Sequence, residues 1–238
     1  MVRGLGWRRW VLAHLVGSLL AAVLGAALGV VTLSAGIGAG VGLGIGLAQW
    51  LTLRRMAIGD SPKDWRLPGA GWVGTSAAAA LVPGWLLVFA VVLGASNGGI
   101  QPADVGTYIG AVAGVGALFA GLPGAGLGIV AGGVQWAILR LIWPGLPVRY
   151  GVGWLAATAV GWGLSWALEG GGLGLIATGW SAGGVATPAL IAVGVLLVAG
   201  CWTVTGALTG LVLARLNAWA TTAPPVPPAP AEEPAVAA

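Results

Sequence analysis

From Trp10 to Leu53 the chain carries no Asp, Glu, Lys or Arg, and two arginines then stand together at Arg54-Arg55. A long uncharged run closed by basic residues is what a chain needs to cross a bilayer and be held where it emerges. The pattern recurs along the chain. All ten Lys and Arg (Arg3, Arg8, Arg9, Arg54, Arg55, Lys63, Arg66, Arg140, Arg149 and Arg215) fall in or beside short gaps between apolar runs. Lys and Arg mark the cytoplasmic side, so this placement predicts an even number of crossings with every basic residue on that side. Charged residues make up 7% of the chain, against roughly 25% in a soluble domain. That is too few to solvate a globular surface.

The net charge of +4 does not indicate nucleic acid. A nucleic-acid footprint gathers on one basic face of a polar domain, whereas these cations are spread over the ends of apolar runs. The partner they imply is the lipid bilayer. Cys201 is the single cysteine and lies inside an apolar run, which excludes an internal disulfide and a thiolate metal cluster. One histidine and scattered carboxylates offer no catalytic, metal or cofactor constellation, and no enzyme activity is expected. The glycine spacings mimic a dinucleotide-binding loop but lack its preceding strand and following acidic residue.

In chain order, the first span runs from Trp10 to about Leu33, longer than the roughly 7–15 residues of a signal-peptide core. The second covers about Gly36–Leu53. Its alternating glycines form two helical stripes, Gly36-Gly40-Gly44 and Gly38-Gly42-Gly46, each a G-x-x-x-G series that admits a neighbouring backbone. A helix thin on two sides should lie between two others. Residues 54–68 form a polar cytoplasmic loop, the third span covers about Gly71–Leu93 with a kink at Pro83-Gly84, and 94–103 form an outer loop. A single helix over Asp104–Leu141 would be ~57 Å long, nearly twice a hydrocarbon core. Leu122-Pro123-Gly124 therefore divides it, with 105–121 re-entrant or interfacial and 124–140 crossing; a steeply tilted, broken helix is the alternative. After the loop 143–150 comes a fifth span, about Gly151–Leu168, ending at Glu169 and a glycine run. Residues 170–186 are apolar enough to fold back into the membrane. Thr187-Pro188 opens the sixth span, which ends near Leu216, and the Pro/Ala-rich tail 221–238 cannot build a core. The expected fold is all-α, six transmembrane helices in three hairpins (7–55, 70–141 and 151–217) with both termini cytoplasmic.

The hairpins echo one another. Gln49-Trp50-x-x-Leu53-Arg54 returns as Gln135-Trp136-x-x-Leu139-Arg140, and each hairpin opens on a tryptophan (Trp10, Trp72, Trp154) expected at the lipid–water boundary. The third hairpin keeps Gly206, Gly210 and Arg215 but has no Gln-Trp pair, and Leu213 is aligned with the glutamines. The repeat resembles bacterial multi-pass membrane proteins of unassigned function whose hairpins end in this G…Q-W-x-x-L-R pattern. That resemblance covers most of residues 7–217, implies the bacterial cytoplasmic (inner) membrane, and carries no activity. Three hairpins are also the plan of mitochondrial carriers, but the P-x-[DE]-x-x-[KR] signature of those carriers is absent here.

Four polar side chains within the runs stand out, because each needs a partner in hydrocarbon. Gln49 and Gln135 lie at one depth in two repeats and predict an interhelical hydrogen bond or, in the sharper reading, a polar ring lining a passage. His14 predicts a hydrogen bond to a neighbouring helix or, in the sharper reading, a proton relay. Glu169 is expected to be solvated at the outer boundary, with a place in a passage as its functional alternative. Trp50, Trp136, Arg54 and Arg140 are expected as interface anchors, with acidic lipid a secondary contact of the arginines. Two functions fit. One is a structural or assembly protein packed through glycine-rich helices, with a second copy or another membrane protein as partner. The other is a channel or transporter for a small neutral or weakly charged solute.

Overall fold

The computed structural model describes residues 7–32, 35–56, 66–96, 117–143, 145–182 and 187–222. They form six helices with no strand among them: α1 (Trp7–Thr32), α2 (Ala35–Met56), α3 (Arg66–Ser96), α4 (Leu122–Ile142, continuous with a π-helical turn Ala117–Gly121), α5 (Val148–Ala182) and α6 (Thr187–Thr222). Each helix packs on the next in the chain, and α6 packs back on α1, so three hairpins close into a ring. In each hairpin the first, or leading, helix is α1, α3 or α5, and the second, trailing, helix is α2, α4 or α6.

Helix ends follow local chemistry. Pro188 lies in the first turn of α6, where its missing N–H has no helical partner to lose. Between α4 and α5 the chain reverses through Gly145, whose φ of 91° lies in the left-handed region that favours glycine. The Trp143 backbone N–H donates to the Leu139 carbonyl at 2.8 Å and closes the last turn of α4.

Glycines set the distance between helices. A Cβ built on Gly42 would strike the Ser76 carbonyl oxygen and come within 2.5 Å of Ala77 Cα on α3; one on Gly44 would lie 2.7 Å from Ala21 N on α1. The two glycine faces of α2 thus meet two different helices, and α2 lies between α1 and α3 as the stripes require.

Apolar side chains are exposed on the outside of the bundle, and a smaller set of polar side chains is buried within a mainly apolar core. On α1 the outward side carries Leu12, Leu15, Val16 and Leu19, all exposed, while Trp10, His14, Gly17 and Ser18 face inward and are buried. On α5, Val152, Val160, Leu164 and Leu168 are exposed, and Trp154, Thr158, Ser165 and Glu169 are buried. Both sets recur at helical spacing, so each helix has an apolar stripe pointing away from the core. Among the described residues, one helical stretch, Leu118–Ile142 of 25 residues, is long and apolar enough by length and composition to cross a membrane.

Several sequence expectations need correction. The fifth helix does not stop at Glu169: α5 continues to Ala182, so 170–182 neither fold back nor form a separate segment. Glycines weaken an isolated helix, but here they sit in a helix held by its neighbours. Leu122-Pro123-Gly124 opens α4, at the point where the π turn gives way to regular α-helix without a gap in the chain's helical run. The π turn ends at Gly121, two residues before Pro123, and its wider i→i+5 spacing accommodates a ring that would clash with the carbonyl four residues back. The remainder of the proposed 105–121 segment, and the tail from residue 223, lie outside the described residues. Helix α3 starts at Arg66 and carries Pro83 in its interior, and α6 extends to Thr222.

Glycine contacts yield a direct test. Gly42→Ala should cost about 1–3 kcal/mol, since its Cβ meets backbone that cannot yield. Gly133→Ala should be neutral or stabilise by up to about 1 kcal/mol, because nothing lies within 4 Å of the added atom. Thermal unfolding of the purified protein in detergent checks both, and equal melting temperatures would contradict the contact.

Candidate functional site

The three leading helices place their first tryptophans together. Trp154 lies between Trp10 and Trp72, with ring centroids 6.3 and 6.0 Å away, and all three indoles are buried. Leu53, Leu139 and Leu213, one from each trailing helix, complete the same apolar cluster. The tryptophans expected at the lipid–water boundary therefore meet inside the bundle. They form the centre of an arrangement repeated three times around the ring.

Aligning the trailing helices on these leucines equates Gln49, Gln135 and Thr209, four residues earlier in each case. Leu213 is the counterpart of Leu53 and Leu139, not of the glutamines, and the third polar position is filled by Thr209. On the leading helices, the residue four after each tryptophan is His14, Ser76 or Thr158. All six of these polar side chains are buried. Trp-x-x-x-polar was the signal available in the sequence for the second set.

Glycine lets the two sets meet. Seven residues before each leucine stands Gly46, Gly132 or Gly206. An added Cβ there would lie 2.9 Å from Ser76 Cβ, 3.0 Å from Thr158 Cβ and 2.6 Å from His14 Cγ, respectively. Each glycine accepts the polar side chain of the following hairpin, and the third accepts that of the first.

Hydrogen bonds then fix the hairpins to one another. Trp72 Nε1–H donates to Gln49 Oε1 at 2.9 Å, joining hairpins one and two. Trp10 Nε1–H donates to Thr209 Oγ1 at 2.9 Å, joining hairpins one and three. His14 Nδ1 lies 3.0 Å from the Trp10 carbonyl oxygen, which can only accept, so Nδ1 carries the proton. His14 Nε2 then accepts from Gln49 Nε2–H at 2.7 Å. Both ring nitrogens of the histidine and both ends of the amide are engaged. The expected partner of His14 on a neighbouring helix is thus Gln49. Gln135 donates to Ser76 Oγ at 3.3 Å within its own hairpin; the glutamines bond to different residues rather than to each other. Among the described residues Trp154 Nε1 has no partner, although its counterparts in the other repeats do.

A Trp–Gly contact lies at each junction. Trp50 of α2 covers Gly69 of α3, and Trp136 of α4 covers Gly151 of α5, where an added Cβ would lie 2.6 Å from the indole. At the closing junction the pair is reversed: Gly210 of α6 lies under Trp7 of α1, with an added Cβ 2.9 Å from Trp7 Cδ1. This explains the third hairpin's missing tryptophan. Trp50 is buried at 7% exposure and packs between hairpins, rather than standing out as an anchor, and Trp136 is half-buried. Arg54 and Arg140 are exposed.

Glu169 belongs to a second buried group farther along hairpin three. It is 3% exposed, not solvated, and lies roughly 22 Å along α5 from Trp154. Trp202 Nε1–H donates to its Oε2 at 3.0 Å, and Cys201 Sγ lies 4.0 Å from the same oxygen. Ser165 Oγ–H donates to the Cys201 carbonyl at 2.8 Å and sits 2.9 Å from Thr205 Oγ1. Trp202 stacks edge-on with Trp162 and Trp166 at 5.4 and 5.6 Å. Among the described residues no group of three or more His, Cys, Asp or Glu gathers as metal ligands would.

No protein-family model, curated protein or solved structure matches the chain.

Two substitution series test this geometry in detergent by thermal unfolding. Gln49→Leu leaves the Trp72 N–H and His14 Nε2 without partners and should cost about 2–4 kcal/mol. Gln135→Leu removes one long bond and should cost about 1 kcal/mol; equal losses would argue against the asymmetry. Gly210→Trp should be strongly destabilising, and Trp7→Gly in the same chain should recover much of the loss by restoring the Trp–Gly order of the other junctions. Absence of any recovery would show that the reversed pair is not a complementary unit.

Proposed function

We propose that this chain is an integral protein of the bacterial cytoplasmic membrane, its six helices crossing as three hairpins, with a structural or assembly role. The exposed apolar stripes and the paired polar groups buried inside support this reading most directly. Leucine and valine line the outward stripes of α1 and α5, while Gln, His, Ser, Thr and Glu are buried and mostly paired inside. Water rewards the opposite arrangement, whereas hydrocarbon requires polar groups to be satisfied within the protein. The exposed arginines cluster at the ends of α2 and α4, consistent with a cytoplasmic face holding both termini.

A scaffold is favoured over a passage by the packing at the axis. Trp10, Trp72 and Trp154 fill the position that a conduit would occupy. Gln49 has both its amide nitrogen and its carbonyl oxygen hydrogen-bonded to the protein. Stable close packing suits a role in holding other components, and the outward apolar faces are where a second copy or another membrane protein would seat. A channel or transporter for a small neutral or weakly charged solute is the second reading. It draws on the buried group around Glu169, because an ionisable side chain at such depth is a common mark of a transport pathway.

Location and topology are tested first. The protein should resist alkaline carbonate extraction from membranes. Reporter fusions at positions 60 and 145 should register cytoplasm, and those at 98 and 184 the exterior; any exchange between the two sets refutes six crossings. Purified protein in liposomes should show no solute flux above protein-free vesicles, and flux abolished by Glu169→Gln would replace the scaffold reading with the transport one.

A further inference from the structure

We propose that a buried water molecule completes the junction between hairpins two and three, accepting from the Trp154 N–H and donating to the Gln135 carbonyl and the Thr158 hydroxyl. The inference goes beyond the scaffold reading and applies to the ring whether it holds partners or passes a solute.

The junction between hairpins one and two supplies the comparison. There Gly46 lies against Ser76 and Trp50 covers Gly69, and between these two contacts Trp72 Nε1–H reaches Gln49 Oε1 at 2.9 Å. The same two contacts recur at the next junction, where Gly132 lies against Thr158 and Trp136 covers Gly151. Spacing along the helices is identical. Gly46, Gln49 and Trp50 correspond to Gly132, Gln135 and Trp136, and Gly69, Trp72 and Ser76 correspond to Gly151, Trp154 and Thr158. Gln135 and Trp154 are therefore bracketed by the contacts that bring Gln49 and Trp72 together. Yet the Trp154 N–H, fully buried, finds no acceptor among the described residues.

The difference originates on the leading helices. Gln49 Nε2–H donates to His14 Nε2 at 2.7 Å, and Gln135 Nε2–H donates to Ser76 Oγ at 3.3 Å. An imidazole carries its outer nitrogen well away from the helix, whereas a serine hydroxyl stays one bond from its Cβ. An amide that must reach back to Ser76 withdraws its carbonyl from the indole across the junction. Leaving an N–H buried without an acceptor is costly and rare in a native fold.

The groups at this junction match water. Trp154 Nε1–H only donates, and the Gln135 carbonyl oxygen only accepts. Thr158 Oγ1 gives its own proton to the Trp154 carbonyl at 2.7 Å and keeps lone pairs free to accept. It is turned toward α4, 3.2 Å from a Cβ built on Gly132. The N–H disfavours a cation, and the two acceptor oxygens disfavour an anion. One water accepts once and donates twice, and about three hydrogen bonds is typical of a buried water.

The test uses the full chain, isotope-labelled at its tryptophan indoles and purified in detergent. Nuclear magnetic resonance should show an Overhauser cross-peak between water and the Trp154 indole proton, identified by its loss in Trp154→Phe. The Trp10 and Trp72 indoles, bonded directly to protein, should show none. Gln135→Leu removes one acceptor and should abolish the water contact. Ser76→His should recreate the arrangement of hairpin one, so that the water contact is lost and the Trp154 indole proton moves downfield toward that of Trp72. Absence of a water contact at Trp154 in the unaltered protein overturns the proposal. A contact that persists undiminished in Gln135→Leu, or in folded Ser76→His, also overturns it; if Ser76→His does not fold, Gln135→Leu decides alone.

Discussion

Each junction between hairpins depends on a side chain fitting where another residue has none. Gly46, Gly132 and Gly206 leave room for Ser76, Thr158 and His14, and that room brings neighbouring helices close enough for indole N–H groups to reach acceptors on the next hairpin. Without the close approach, Trp72 could not donate to Gln49, nor Trp10 to Thr209. The three tryptophans would have no reason to converge. Dispersion between closely approaching backbones and a few buried hydrogen bonds hold these contacts.

The ring is built from equivalent positions occupied by different residues. His, Ser and Thr serve on the leading helices, and Gln, Gln and Thr on the trailing ones. Hairpin one is bound most completely, since Gln49 joins His14 to Trp72 and the histidine passes the chain on to the Trp10 carbonyl. Hairpin two has fewer such bonds, and the Trp154 N–H finds no acceptor among the described residues. The reversal of Trp and Gly at the closing junction makes the contact of α6 with α1 unlike the others. Such a difference distinguishes the junction that closes the ring from those made along the chain, a means of excluding misordered hairpins.

The polar interior also bears on the choice between scaffold and passage. In the half containing the tryptophan cluster, each amide and imidazole that might line a path is hydrogen-bonded to protein. In the other half, Glu169 lies among Trp202, Cys201 and Ser165 within a single hairpin. The two polar groups are therefore organised differently: one joins hairpins, the other stays inside one.

Much of the architecture could be read from residues alone. Uncharged runs and basic gaps specified helices and hairpins, because an apolar helix and its charged ends are properties of composition and spacing. The alternating glycines specified that α2 has two contact faces, since helical periodicity assigns them without knowledge of the neighbours. Three things depended on tertiary packing. Trp10, Trp72 and Trp154 proved to be internal because a tryptophan near a helix end suits either a lipid boundary or a core, and only the neighbours decide. Glu169 proved to be buried because the glycine run after it, a plausible helix end in isolation, remains helical when supported on its sides. The pairing of Trp7 with Gly210, distant in sequence, arises from ring closure; no local pattern could reveal which helix the third hairpin would meet.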